Sequence, residues 1–153
     1  MKWLVVLGIL AGAGFAGYRV YDSSTAPVKR YEEFAEEILN RRYEAALGMC
    51  EGLSREQLEA SGTMEKIGAG STMFQTVFPS RFEIRTKERG ADGDLALDAV
   101  QTVNWNPPGV ESVMRPAMEA KMDQRVTLRR IGGQWRVTSF RNTFVSMAER
   151  RAR

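Results

Sequence analysis

Cys50 is the single thiol of the sequence, and the partners that would make it a nucleophile or a metal ligand are missing: the 153 residues contain no His. That absence removes Ser-His-Asp and Cys-His nucleophilic sites, histidine general bases and histidine-ligated zinc. One Cys also rules out an intramolecular disulfide and a thiolate cluster. Cys50 stands at i+7 from Tyr43, with Ala46 and Leu47 between them at i+3 and i+4. These positions share one helical stripe, so the thiol reads as a small buried hydrophobe rather than a reactive group. No catalytic residue, metal or cofactor is expected.

What remains is binding chemistry. From Lys121 to Arg153 there are nine basic residues against two acidic ones, whereas from Pro27 to Lys66 there are six basic and nine acidic. A basic face built on Arg125, Arg129 and Arg136 would suit an acidic partner or anionic lipid head groups. The plain alternative is a solvated sheet face. A net charge of only +3, with no interleaving of basic and aromatic residues, argues against nucleic acid. The stretch from Trp105 to Pro116 reads as a long loop that sets Trp105, Val110, Val113 and Met114 beside Arg115. It is either an apolar contact for a protein partner or a crossing that covers the core edge. Phe34, Ile38, Phe74, Phe82 and Trp135 either line a pocket for a small-molecule ligand or fill the core, and a chain this short needs them for its core.

The elements that must position these residues follow from periodicity. Hydrophobic residues make up 43% and charged residues 27%, the profile of one folded domain. Pro27 suits a first helical turn, with Ser24 or Thr25 as cap. Val28, Tyr31, Phe34 or Ala35, and Ile38 then recur at helical spacing, with Lys29–Glu33 and Glu37–Arg41 pairs on the opposite face. Tyr43 to Cys50 predicts a second short helix, and the capping-box pattern Ser54-Arg-Glu-Gln57 a third. After Pro79 the period changes to two. Phe82, Ile84 and Thr86 alternate with charges, Asp92-Gly93 predicts a hairpin, and Leu95 to Trp105 alternates on the return. Val126 and Leu128 lie on one further strand, Gly132-Gly133 turns, and Trp135, Val137 and Ser139 follow. From Thr143 a short helix with a basic end is expected.

The amino terminus carries no charge from Trp3 to Tyr18, between Lys2 and Arg19. As an uncleaved anchor, this run spans about 24 Å of helix against about 30 Å of hydrocarbon, with flanking residues snorkelling. As a secretory signal it would be cleaved after Ala13 or Ala16, releasing a soluble periplasmic protein. The spacing of Gly8, Gly12 and Ala16 is the small-residue pattern of packed membrane helices and favours the anchor. The organisation is then an anchor or signal at 1–21, a tether at 22–26, a domain at 27–142 and a basic tail at 143–153.

The expected fold class is α+β: an N-terminal transmembrane helix, then helices packed on a curved antiparallel sheet. Two stretches, Asn40-Arg-Arg-Tyr-Glu-Ala-Ala-Leu47 after the first helix and Gly132-Gly-Gln-Trp-Arg-Val-Thr-Ser-Phe140 at the last strand, resemble the nuclear transport factor 2-like (cystatin-like) superfamily over about residues 27–142. The resemblance implies a helix-backed cone around a pocket. Superfamily members include isomerases, dehydratases, binding modules and assembly subunits, so fold does not set function. The dehydratase pattern needs a His-Asp pair, which is absent. The isomerase pattern needs a carboxylate base beside a Tyr donor, for which Tyr31, Tyr43 and Asp98 are formally available. The layout of short head, helix, tether and domain resembles bacterial envelope proteins that scaffold larger machines. The sequence therefore points to a non-enzymatic protein on the periplasmic or extracellular side of the inner membrane, working by contact with a protein partner or a second copy. A secreted binder of a small apolar ligand and an isomerase-like enzyme are the alternatives.

Overall fold

A computed structural model of the chain describes residues 25–62, 80–105 and 118–149. Helix α1 runs through residues 25–39, α2 is Tyr43–Leu47 and α3 is Arg55–Ala60. Four strands follow: β1 Ser80–Arg89, β2 Leu95–Trp105, β3 Met118–Ile131 and β4 Gln134–Glu149. They form one antiparallel sheet in the order β1-β2-β3-β4.

The expected stripe of α1 is the buried one. Tyr31, Phe34, Ala35 and Ile38 are fully enclosed, and they meet Leu95, Leu97, Ala99, Val126, Leu128 and Val137 from one face of the sheet. Tyr31 lies edge-on to Phe82 at 5.5 Å and Phe34 edge-on to Phe140 at 5.0 Å. Such pairs add about 0.5–1.5 kcal/mol each beyond the area they bury. The helix ends in a Schellman turn: Arg42 N–H donates to Glu37 O and Arg41 N–H to Ile38 O, with Arg41 at φ 58°. That left-handed residue turns the chain, and Glu37 is gripped by Arg42 through two hydrogen bonds. Likewise, Glu33 meets Arg30 rather than Lys29. The capping box of α3 forms as expected, with Ser54 and Gln57 satisfying each other's backbone N–H. Both glycine turns form as well. Gly93 sits at φ 80°, and Gly132 and Gly133 at φ 57° and 82°, the left-handed pair that a two-residue hairpin requires.

The expected architecture is overturned. Among the described residues strand outweighs helix by 54% to 27%, so the fold is a sheet of long strands with few short helices, not a helix-backed cone. Two regions account for the difference. Met118, Ala120, Met122 and Gln124 alternate with Glu119, Lys121 and Asp123, so β3 begins eight residues before Val126. At the other end, Thr143 to Glu149 forms no helix; it continues β4 opposite Met118 to Asp123. No described helix is long and apolar enough to cross a membrane. The anchor or signal segment at 1–21, with Gly8, Gly12 and Ala16, lies outside the described residues.

Candidate functional site

Three features of the sheet carry chemistry: a buried amide row inside, a charge ladder outside, and the edge of β4. The inner row crosses three strands. Gln124 on β3 stands opposite Ala99 on β2 and Asn142 on β4, and Gln101 is two residues along β2. All three amides are buried. The carbonyl of Ser61 fixes the polarity of the row, because it can only accept. Asn142 Nδ2 donates to it at 3.0 Å, which turns Asn142 Oδ1 toward Gln124 Nε2 at 3.3 Å. Gln124 Nε2 also donates to Gln101 Oε1 at 2.7 Å, and its own Oε1 accepts from the Tyr31 hydroxyl at 2.5 Å. Every amide orientation is thereby set, and Gln101 Nε2 is left without a partner among the described residues. Ser80 Oγ, one diagonal step away on β1, is also buried and unpaired. An unmet buried donor costs about 1–3 kcal/mol, so this corner of the core carries a polar demand that the described residues do not meet.

Burial, and after it the Glu32 carboxylate, holds the Tyr31 phenol protonated well above the ordinary tyrosine range. The phenol is a fixed donor to a neutral amide. Asp98 belongs to the other side of the sheet, where Thr86 Oγ1 donates to it at 2.7 Å and Arg125 at 3.4 Å. The base and donor of an isomerase pattern are therefore separated by the sheet itself. Cys50 is buried, with its Sγ–H donating to Ala46 O at 3.2 Å. Desolvation, partly opposed by Arg136, pushes its pKa up to about 11. Among the described residues, no group of three or more His, Cys, Asp or Glu could hold a metal ion.

The outer face is a ladder of mixed sign. Arg85 reaches Asp123 at 3.2 Å, Arg125 reaches Asp98 at 3.4 Å and Glu88 at 3.7 Å, and Arg129 holds Asp94 through two contacts of 2.7 Å. The Arg129 guanidinium holds the Asp94 carboxyl below its usual range. Arg136 turns to the Gly48 carbonyl. Each of Arg125, Arg129 and Arg136 thus already has an acceptor inside the fold.

Of the residues read as a pocket, Phe34 and Ile38 sit within the core and Phe82 and Trp135 pack against it, while Phe74 lies outside the described residues. Trp105 ends β2, and Val110, Val113, Met114 and Arg115 also fall outside the described residues.

The β4 edge was missed at the sequence level. Cys50 bridges Val137 in parallel and caps that edge at this point, with Glu51 N–H donating to Val137 O and Val137 N–H to Met49 O. Beyond Asn142, no strand covers the edge among the described residues. There Phe144, Val145 and Met147 are 40%, 52% and 40% exposed. A bulge places Val145 between the pairs Met122–Phe144 and Lys121–Ser146. The readable signal was the cluster Thr143-Phe144-Val145, whose β-branched and aromatic side chains favour strand. The sequence matches no known protein-family model and no curated protein.

Proposed function

We propose that the chain is a non-enzymatic envelope protein, held at the inner membrane by residues 1–21, whose domain docks on a partner protein through the second half of β4. The observation that carries this reading is the exposed apolar run Phe144, Val145 and Met147 on an edge strand that no other strand covers among the described residues. Open strand edges offer a row of backbone donors and acceptors and are ready templates for another strand. The anchor rests on the uncharged run Trp3 to Tyr18 and on Gly8 and Gly12. Co-purification of the full-length chain from mild detergent tests the whole reading. The parent should retain a partner that Phe144→Lys with Met147→Lys loses, and Gly12→Leu should disturb assembly without unfolding the domain. Identical partners in all three preparations would refute it.

A second reading is a secreted periplasmic binder of a small ligand. It draws support from the unpaired Gln101 Nε2 and Ser80 Oγ, which face the same interior as Phe82. These groups would ask for a mostly apolar molecule with one acceptor oxygen, because no cation lies in the amide row to compensate a buried anion. A native protein shortened by about sixteen residues, with a small molecule retained in its intact mass, would favour this reading over the first.

A further inference from the structure

The outer face next to the open edge has an unbalanced charge. Arg85, Arg125 and Arg141 share an open depression of about 260 Å³ with Asp98 and Asp123. Asp123 is taken by Arg85, and Asp98 by Arg125, which also reaches Glu88. Arg141 has no carboxylate partner among the described residues, and Thr143 follows it on the same face. From Gln134 to Ala148, β4 contains two arginines and no acid.

Building on the docking reading above, we infer that the β4 edge takes an extended strand from a different protein, one that sets an acidic side chain against Arg141 and apolar side chains against Phe144 and Met147. The register gives each face its demand. Arg141, Thr143, Ser146 and Ala148 pair with Arg125, Asp123, Lys121 and Glu119 on the outer face, whereas Phe144 and Met147 pair with Met122 and Ala120 on the inner one. A strand added about 4.8 Å from β4 brings its alternate side chains level with these two rows. A second copy of this chain does not meet the demand. The outer-face residues of its β4 beyond Arg141 are Thr143, Ser146 and Ala148, and the bulge at Val145 puts Glu149 on the inner face opposite Met118.

The test uses the full-length chain in detergent and a fluorescent ten-residue peptide that alternates Val and Thr around one central Glu. Its controls are a twin with Gln in place of Glu and a version N-methylated on alternate backbone nitrogens. The Glu peptide should bind about threefold tighter than its twin, the scale of one exposed ion pair. Arg141→Gln should erase that preference and leave the Gln peptide unaffected, and the N-methylated peptide should not bind. Equal binding of the twins to the parent, or a preference that survives Arg141→Gln, overturns the acidic partner and leaves the docking edge standing. Binding of the N-methylated peptide, or of no peptide, overturns the docking edge and this inference together. A chain that self-pairs through β4 and excludes the peptides overturns the choice of a different protein as occupant.

Discussion

The two edges of this sheet are built on opposite plans. β1 carries a charge at six of its ten positions, Arg81, Glu83, Arg85, Lys87, Glu88 and Arg89. After the bulge at Arg85, its register sets Lys87 and Arg89 opposite Leu97 and Leu95, so charges occupy positions on the core side. Charged, bulged edges of this kind refuse further strands. β4 between Arg141 and Glu149 carries no charge, and Phe144, Val145 and Met147 stand exposed along it. Among the described residues, the same sheet thus closes one side against pairing and leaves part of the other open. An exposed apolar edge is an aggregation liability, and its retention beside a well-guarded edge is what supports a docking role.

The largest expected effect comes from closing the open edge. Phe144→Lys with Met147→Lys should abolish partner retention and shift the thermal midpoint little, because both side chains are already half in water. A large fall in the midpoint would show that these residues serve the core instead. The reverse change, Lys87→Val with Arg89→Val, should make β1 resemble β4 and drive concentration-dependent self-association, visible in light scattering. Unchanged scattering would mean that the charges of β1 are not what guards it.

Next in size is the tie between β4 and the interior. Tyr31→Phe removes the donor to Gln124 Oε1 and should cost about 1–3 kcal/mol. Amide exchange should rise first in β4 around Asn142, before β1. Gln101→Met, in contrast, removes the unmet Nε2 donor together with the Oε1 that accepts from Gln124, so the two effects offset and the denaturation midpoint should move less than in Tyr31→Phe.

Alkaline pH probes the bridge between Cys50 and Val137 on β4. The thiol's folded pKa lies above its ordinary 9.0, at about 11. The folded state therefore holds the proton more tightly. This contribution to stability is complete below pH 9 and is lost as pH rises toward 11. Cys50→Ala should flatten that part of the pH profile. The smallest effect belongs to the charge ladder: Arg129→Gln breaks an exposed pair and should barely move the midpoint at neutral pH.

Much of the scaffold was legible because its signals are local. The stripe Tyr31, Phe34, Ile38 marked α1, Ser54 and Gln57 marked the start of α3, and Gly132-Gly133 marked a hairpin. The fold class was not legible, since strand length depends on pairing across the sheet. Met118 to Gln124 is rich in helix formers, and only its neighbours on β2 and β4 make it a strand. Thr143 to Glu149 ends in Ala and Glu beside several Arg, which read as a helix terminus until β3 is seen to extend opposite it. The amide row was invisible for a related reason. Gln101, Gln124 and Asn142 are ordinary polar residues in sequence, and only the register brings them together with Tyr31. The basic face was legible as composition, but not the acids that would neutralise it. Asp94, Asp98 and Asp123 lie on other parts of the chain and meet Arg129, Arg125 and Arg85 across strands.

The most direct measurement places a photo-crosslinker at Val145 or at Lys87 of the full-length chain in native membranes. Val145 should give one discrete adduct that disappears with Phe144→Lys and Met147→Lys, and Lys87 should give none. Equal adducts at both positions, or none at Val145, would contradict an open edge that serves as the docking surface.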